Sequence, residues 1–472
     1  MTNLRIPAPP QRYDMPAPRR PLSGHEVFAA LLTLAAALRI TTMLGYRPAR
    51  VYYGDSYAYL ALAAHPKPSS GFQPSGYPFF LMLLRPFHSV TLVVGVQHAL
   101  GLATGMLVYA ALRRHGLPAW AASAAAVPQL FDASFLQLEH AVLSDALFIF
   151  LVVAAITVLM WSPGPTTRAG AAAGALLALA ALTRTIALPL LLLVLAHLAL
   201  RRIGWRPVLA TAAAAALPIA LYASWYASVY GRFTLAGGDG VALWARTMTF
   251  ANCRRIRPPA EEARLCPAGA RQDAAGEYVW AADSPINRFP GGPAAANEPA
   301  RSFALRAIAA QPLDYAADVA GDVSLAFHWT PARHPKRVTP AFGFAKGRWP
   351  LPDLPDAKKA LASYDADVGD YRSVEPYAGF LRAYQYPAYL RGPVLAAILA
   401  LGALGARRRA LLPWTVAAAL LVLPVAVLDF DHRYVLPVVP IACMAAALAA
   451  ADLRTGHRRG SLPQRALVGV IH

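Results

Sequence analysis

The stretch from residue 140 to residue 161 reads HAVLSDALFIFLVVAAITVLMW, and its one carboxylate, Asp145, lies near its beginning. A helix needs about 20 mostly apolar residues to cross a bilayer, and this stretch has that length and composition. Similar runs recur, and the predicted spans are 26–46, 90–112, 118–133, 140–161, 169–183, 185–200, 207–229, 388–405, 411–428 and 434–451. The sequence therefore predicts an all-α polytopic membrane protein with about ten transmembrane helices.

Composition and charge support this class of protein. The 472-residue chain is 57% hydrophobic and only 15% charged, against about 25% charged in soluble domains. A net charge of +19 raises nucleic acid as a partner. However, the segment 230–386 is nearly neutral, with 19 basic and 16 acidic residues, so the basic excess flanks the apolar runs. Because cytoplasmic loops retain Lys and Arg, no nucleic-acid partner is predicted.

The positive-inside bias also predicts the topology, with both termini in the cytoplasm. It divides the chain into five parts: a cytoplasmic tail (1–25), a transmembrane part (26–229), an extracytoplasmic domain (230–387), the last transmembrane helices (388–452) and a basic cytoplasmic tail (453–472). Arg39, inside the first predicted span, is interpreted as a residue that extends its charge to the membrane interface.

Six carboxylates fall at or just below the predicted outer surface, from four separate places in the sequence. A carboxylate near the bilayer is costly unless it faces a wet cavity or a partner, so the set indicates an outward-facing polar site. Chance clustering at the ends of loops is the alternative. The six are Asp55, Asp132, Glu139, Asp145, Asp429 and Asp431.

The first outer loop carries the candidate for a catalytic base. Residues 52–60 read YYGDSYAYL and residues 73–80 read QPSGYPFF. Asp55 lies among aromatic side chains at the mouth of the predicted cavity, where a general base could reach a hydroxyl nucleophile. Alternatively, Asp55 caps a helix that starts at Ser56, because Asp is a favoured N-cap. The sequence alone leaves both interpretations open.

Two of the three cysteines, Cys253 and Cys266, lie in the predicted outer segment, and Cys443 lies in a span. In an oxidising compartment a disulfide that closes a loop of this size contributes about 3 kcal/mol. We expect this pair to be a disulfide, and two unpaired thiols are the alternative.

The order of several short motifs resembles the C-type glycosyltransferases. The motifs are the acid in the first outer loop, the Gly-Tyr-Pro stretch at 76–78, the run EHAVLSDALF at 139–148, Leu182-Thr183-Arg184, and HRYVLP at 432–437. They most closely resemble the branch that contains the protein O-mannosyltransferases and the lipid A aminoarabinose transferases. The resemblance covers most of the membrane part and little of residues 230–386.

This resemblance implies transfer of a sugar from a polyprenyl-phosphate carrier to a glycan, lipid or protein acceptor at the outer face. It assigns Asp55 as the catalytic acid and either Glu139 or Asp145 as a second acid. Gly54 and Ser56 flank Asp55, so the paired-acid metal site of some members is not expected in this loop, and no cofactor or metal is predicted. The side chains expected to line the substrate are Tyr53, Tyr57, Tyr77, His140, His432 and Tyr434.

The leaving phosphate needs positive charge, and Arg stays charged and can bind phosphate oxygens with two hydrogen bonds. Arg184 and Arg433 are the candidates. As alternatives, Arg433 pairs with Asp429 or Asp431, and Arg184 reaches outward to the interface. His140 and His432 could hold a metal together with Glu139 or Asp431, but the sequence favours simple hydrogen bonding for each histidine.

Two other functional classes fit a polytopic protein. A transporter or lipid flippase commonly has internal repeats and ionisable residues near the bilayer midplane, whereas this sequence has no evident repeat and its acids cluster at one face. A non-catalytic scaffold that binds cell-wall polymer is the second alternative. Such a scaffold would keep its function when Asp55 is replaced.

The predicted topology can be tested with reporter fusions. A reporter fused after residue 115 or residue 204 is expected to report cytoplasm, and one inserted near residue 290 is expected to report the exterior. An exterior signal at residue 204 would reverse the side on which every candidate site residue is placed.

Overall fold

The computed structural model describes residues 24–51, 54–162, 164–335, 343–351, 353–405 and 409–460. It is mostly helical, as predicted, and the membrane part begins with α1 (Gly24–Gly45), α2 (Asp55–Ala64), α3 (Gly76–Leu84), α4 (Val90–Arg114), α5 (Ala119–Phe131), α6 (Ala133–Glu139), α7 (Asp145–Met160), α8 (Thr167–Thr183), α9 (Ala187–Leu200) and α10 (Trp205–Tyr230). The segment that the sequence predicts to lie outside the membrane is called the outer segment. It contains α11 (Asp239–Met248), α12 (Cys253–Ile256), α13 (Ala275–Trp280), α14 (Gly292–Ala310), α15 (Pro312–Ser324), α16 (Pro355–Tyr364) and α17 (Tyr377–Ala388). The last helices are α18 (Gly392–Leu404), α19 (Leu411–Val427) and α20 (Val438–Gly460).

Each of the ten predicted ranges contains an apolar helix. In the described part of the chain, four segments are long and apolar enough to cross a membrane: His25–Gly45, Val90–Arg114, Trp205–Tyr230 and His432–Arg454. The bent pair α17 and α18, with an angle of 50°, makes a fifth if it counts as one span. Four shorter apolar helices are α7, α8, α9 and α19. The mostly helical class is confirmed, and the number of ten spans stays a prediction.

One boundary differs from the predicted span at 140–161, because α7 begins only at Asp145. Residues 140–142 instead form backbone hydrogen bonds with Arg50. The Arg50 amide donates to the His140 carbonyl at 3.0 Å, and the Val142 amide donates to the Arg50 carbonyl at 2.9 Å. This parallel bridge competes with the helical hydrogen bonds of the same residues. The bridge attaches the loop after α1 to the loop between α6 and α7, which are the predicted first and second outer loops.

The described residues also include three short strands, which the all-α prediction did not contain. They are β1 (Tyr46–Arg47), β2 (Arg348–Trp349) and β3 (Tyr371–Ser373), in the antiparallel order β1-β3-β2. Tyr46 pairs with Ser373, so the end of the first span is joined directly to the outer segment. Strands of two or three residues are too short to show hydrophobic alternation, which is why the sequence did not reveal them.

The outer segment consists of two parts that pack differently. Residues 241–307 form their own hydrophobic core, in which Trp244 and Phe303 are fully buried. A disulfide joins Cys253 and Cys266 at the edge of this core, with their Cα atoms 6.1 Å apart. By contrast, Leu361 and Tyr364 of α16 belong to the same core as the membrane helices. The second part therefore covers the membrane core, while the first forms a separate small unit.

The first outer loop is held on several sides. The Tyr364 hydroxyl donates to the Leu81 carbonyl at 2.8 Å, and the Asp365 carboxylate accepts from the Val90 amide at 2.9 Å. A Cβ on Gly76 would overlap the backbone carbonyl of Leu182, so α3 approaches the end of α8 at backbone contact. Only glycine permits this approach, which gives a physical reason for the glycine of the Gly-Tyr-Pro stretch.

Replacing Gly76 tests this contact. Gly76→Ala is expected to destabilise the protein by about 1–3 kcal/mol, the usual cost of overpacking, because the atoms it meets are rigid backbone. The measurement is the melting temperature of the purified protein in detergent. Gly71→Ala in the same loop is the matched control, since its new methyl would meet only the Ser69 hydroxyl at 3.6 Å. Equal melting temperatures for the two variants would contradict the backbone contact.

Candidate active site

The beginnings of α2 and α7 are held next to each other by the bridge between the two outer loops. The Ser56 hydroxyl donates to the Val142 carbonyl at 2.8 Å, which adds a side-chain contact to the backbone bonds of Arg50. Asp55 is the first residue of α2 and Asp145 is the first residue of α7. Two acids that are far apart in the sequence therefore begin neighbouring helices.

Asp55 does not cap its helix through its side chain. The residue before it, Gly54, takes the N-cap position with a φ of 84°, and no side-chain cap hydrogen bond is formed there. Instead, the Asp55 carboxylate accepts a hydrogen bond from Nη1 of Arg433 at 2.8 Å. The side chain of Asp55 is 36% exposed, whereas that of Arg433 is 11% exposed. The side chain of Asp55 therefore forms an ion pair and does not cap its helix, and its role as a general base stays a prediction.

Arg184 lies in the break between α8 and α9, where its backbone is extended with a φ of −148°. Its guanidinium forms a buried ion pair with Asp145, whose side chain is 1% exposed. The guanidinium carbon also lies 5.2 Å from the centre of the Tyr434 ring. Arg184 is therefore directed into the protein, and the alternative in which it reaches outward to the interface is wrong.

Arg433 approaches the same aromatic ring, with its guanidinium carbon 5.3 Å from the centre of the Tyr434 ring. Its Nε lies 3.1 Å from the carboxylate of Asp431, and that carboxylate also accepts from the Arg433 amide at 3.0 Å. Arg184 and Arg433, the two predicted phosphate ligands, are thus brought together around Tyr434. Three carboxylates, from Asp55, Asp145 and Asp431, hold them there.

Two buried tyrosines, Tyr59 and Tyr77, pack next to this cluster. The Tyr59 and Ser144 hydroxyls are 3.4 Å apart, and the Tyr59 ring contacts the Tyr77 ring edge-on at 5.0 Å. Burial, and then the nearby charge of Asp55, raise the pKa of Tyr59, so its hydroxyl remains a neutral donor. Tyr77 is fully buried and donates to the Gln97 side chain at 2.6 Å. Its ring contacts Tyr59 and its hydroxyl contacts Gln97, so the expectation that Tyr77 lines the substrate has no support in its contacts.

Glu139, the other candidate for a second acid, belongs to a different network. It accepts from Nη2 of Arg39 at 2.8 Å and lies 2.9 Å from Nδ1 of His98, and its side chain is 2% exposed. Nε2 of His98 lies 3.3 Å from Nδ1 of His140, whose Nε2 lies 2.6 Å from the Tyr46 carbonyl. Arg39 is buried in an ion pair, so its interpretation as an interface-reaching residue is wrong. His140 also belongs to this network, because its two ring nitrogens contact His98 and Tyr46.

The six outer carboxylates are thus divided by the fold. Asp55, Asp145 and Asp431 contact the two arginines, whereas Glu139 contacts Arg39. Asp132 caps α6 through the Ser134 amide and also accepts from the Leu390 amide, each at 2.6 Å. Asp429 bonds to His334 of the outer segment at 2.7 Å. One polar site for all six was therefore too broad an expectation.

The remaining candidates have less defined surroundings. Tyr53 lies outside the described residues, as do most of the two tails. Tyr57 is half-buried and packs against the membrane core. His432 is half-buried, and its Nδ1 has no hydrogen-bond partner among the described residues. The sequence did not single out Tyr59 as a site residue. It also did not predict a carboxylate partner for Arg39, although a charge inside a span is itself a signal that such a partner exists.

Comparisons with known proteins give two structural neighbours. No protein-family model and no curated protein matches the sequence. The S. cerevisiae protein O-mannosyltransferase Pmt1-Pmt2 complex bound to the sugar donor shares 17% identity with a TM-score of 0.36, over 49% of this chain and 37% of that chain. ArnT from Cupriavidus metallidurans in the apo state shares 16% identity with a TM-score of 0.34, over 93% and 80%. Both neighbours are C-type glycosyltransferases.

The buried pair of Arg39 and Glu139 makes a prediction about stability. Glu139→Gln is expected to cost about 3 kcal/mol, because it leaves the Arg39 charge uncompensated in a buried place. The double variant Arg39→Met with Glu139→Gln is expected to recover part of the lost melting temperature, since the unpaired charge is then gone. If the double variant melts at or below the temperature of Glu139→Gln, the charge is not the source of the loss.

Proposed function

We propose that this protein is an integral membrane glycosyltransferase that transfers a sugar from a polyprenyl-phosphate donor to an acceptor at the outer face of the cytoplasmic membrane. The observation that carries the proposal is the convergence of Arg184 and Arg433 on Tyr434, next to the half-exposed Asp55. Two fixed guanidiniums suit a phosphate, and an accessible carboxylate suits a hydroxyl. The sequence motifs that resemble C-type glycosyltransferases include each of these residues.

The proposed roles follow from exposure and pairing. Asp55 accepts the proton of the acceptor hydroxyl while its oxygen forms a bond to the anomeric carbon. The bond from that carbon to the phosphate oxygen breaks on the opposite face of the sugar, so the configuration is inverted. The polyprenyl phosphate leaves with the electron pair of that bond. As its negative charge grows, Arg184 and Arg433 stabilise it.

The second acid in this proposal is Asp145, and it acts as a positioning residue. Its side chain is 1% exposed and is paired with Arg184, so it has no open path to an acceptor hydroxyl. A buried carboxylate in this place holds the guanidinium at the break between α8 and α9. Glu139 is assigned a structural role for the corresponding reason, because its contacts are with Arg39 and His98.

Donor binding has a further consequence for Asp55. The donor phosphate and the Asp55 carboxylate are both anions that bind the guanidinium of Arg433. When the phosphate occupies Arg433, Asp55 is displaced from it and becomes available to the acceptor. The proposed order of binding is therefore donor first and acceptor second.

The proposal also includes the membrane topology of the chain. The ten apolar helices of the predicted ranges cross the membrane, the termini lie in the cytoplasm, and the segment 230–387 lies outside. This arrangement puts Asp55, Arg433 and the break at Arg184 at the outer ends of their helices. The rival functions, a flippase or a non-catalytic scaffold, would not require a carboxylate at position 55.

The catalytic test uses Asp55→Asn, which keeps the size of the side chain and can still accept from Arg433. Turnover is expected to fall by about 10²-fold to 10⁴-fold, the usual effect of losing a general base, while donor affinity is kept or rises, because a neutral amide competes less than a carboxylate with the donor phosphate for Arg433. The measurement is the release of polyprenyl phosphate from labelled donors by the purified protein in detergent, over a panel of sugars and acceptors. Wild-type turnover by folded Asp55→Asn would show that Asp55 is not the base.

Unlike Asp55→Asn, the variants Arg184→Ala and Arg433→Ala are expected to lower donor affinity as well as turnover. The reason is that the donor phosphate is present before the reaction as well as during it. Each is expected to weaken donor affinity by about tenfold or more, as hydrogen bonds to charged groups contribute about 1.5–3 kcal/mol, and to lower kcat as well. Asp353→Asn is the control, since this exposed aspartate pairs only with Lys358 at the surface among its described contacts. Unchanged donor affinity in both arginine variants would contradict the phosphate site.

A further inference from the structure

A second group of ionisable side chains lies where the outer segment meets the loop before α20. Asp322 comes from α15, His334 from the segment that follows it, and Asp429 from the loop after α19. One ligand atom from each of the three lies within 4.8 Å of the others. None of the three is a candidate site residue of the proposed transfer reaction.

The chemistry of these three residues is that of a metal ligand set. Imidazole and carboxylate together suit Zn²⁺ and Mn²⁺, and Zn²⁺ sites commonly combine His with Asp or Glu. The side chains are mostly buried, with 6% of His334 and 13% of Asp429 exposed. The ligands come from three separate segments, so an ion would join parts of the chain that sequence alone does not connect.

The carboxylates are also oriented by further hydrogen bonds, as metal ligands usually are. Asp429 accepts from the Gly276 amide at 2.6 Å and from the Phe430 amide at 2.9 Å. Asp322 is held by Arg246 at 2.5 Å. Asp429 thereby contacts α13 of the small outer unit as well as its own loop, so its position does not depend on a flexible side chain alone.

The local charge favours a cation. Arg246 is fully buried and is shared between Asp318 and Asp322. Asp318, Asp322 and Asp429 thus face one guanidinium and one imidazole. A divalent ion would compensate the excess negative charge, which is costly in a mostly buried place.

We propose that Asp322, His334 and Asp429 bind a divalent transition-metal ion, Zn²⁺ or Mn²⁺. The ion ties the outer segment to the loop that continues into Asp431 and Arg433. This role is structural and does not depend on the proposed transfer reaction. The proposal therefore stands or falls on metal binding, independently of any activity measurement.

The experiment measures metal uptake by the full-length protein in detergent, purified without a histidine tag. After treatment with a chelator and desalting, the protein is dialysed against ZnCl₂ or MnCl₂, and bound metal is counted by mass spectrometry. The wild type is expected to bind one ion per chain. His334→Ala is expected to weaken this binding by about 100-fold or more, since loss of even an outer-shell partner typically costs 10-fold to 100-fold.

Two further variants separate a metal site from a simple ion pair. His328→Ala removes an exposed histidine of the same segment and is expected to bind like the wild type. His334→Lys keeps a cation opposite Asp429 and serves if His334→Ala does not fold. Added Zn²⁺ or Mn²⁺ is expected to raise the melting temperature of the wild type and of His328→Ala, and to leave His334→Lys unchanged. Absence of stoichiometric uptake by the wild type, or equal uptake by His334→Lys, would overturn the proposal.

Discussion

The ion pair between Arg433 and Asp55 is the interaction on which the site depends. It joins residues that are 378 positions apart, and it connects the beginning of the last apolar helix to the first outer loop. Charges at the edge of a bilayer are costly without a partner, so this pairing restricts how the two segments can be placed. Arg184 and Asp145 form a second ion pair next to Tyr434. Both guanidiniums lie about equally far from the centre of the aromatic ring, and each is held by a carboxylate.

Exposure distinguishes this cluster from the network around Glu139. The Asp55 side chain is 36% exposed, and this exposure supports the proposal that an anionic ligand competes with it for Arg433. Glu139 is 2% exposed and is enclosed by Arg39, His98 and the close approach of Gly101 in α4. A buried ion pair of this kind is strongly destabilising to break, and its partners come from α1, α4 and α6. The two networks use similar residue types, yet one contains a partly exposed carboxylate and the other is buried between helices.

The loop between α19 and α20 connects the site to the outer segment. Asp429 contacts Gly276 and His334, whereas Asp431 and Arg433 contact the cluster around Tyr434. One short loop therefore contacts both the outer segment and the cluster around Tyr434. The disulfide between Cys253 and Cys266 and the core around Trp244 keep that part of the outer segment compact. The proposed metal site lies at this junction.

The sequence by itself determined the mostly helical membrane class and the positions of the apolar helices, because hydrophobic length and composition are local properties. It also indicated Asp55, Arg184 and Arg433, since charged residues at the ends of apolar runs stand out. The partners were decided only by the tertiary structure, across separations of 39 positions for Arg184 with Asp145 and 100 for Arg39 with Glu139. No periodicity relates such residues. Their pairing follows from which helix ends the packing brings together, and from the cost of leaving any of these charges buried alone.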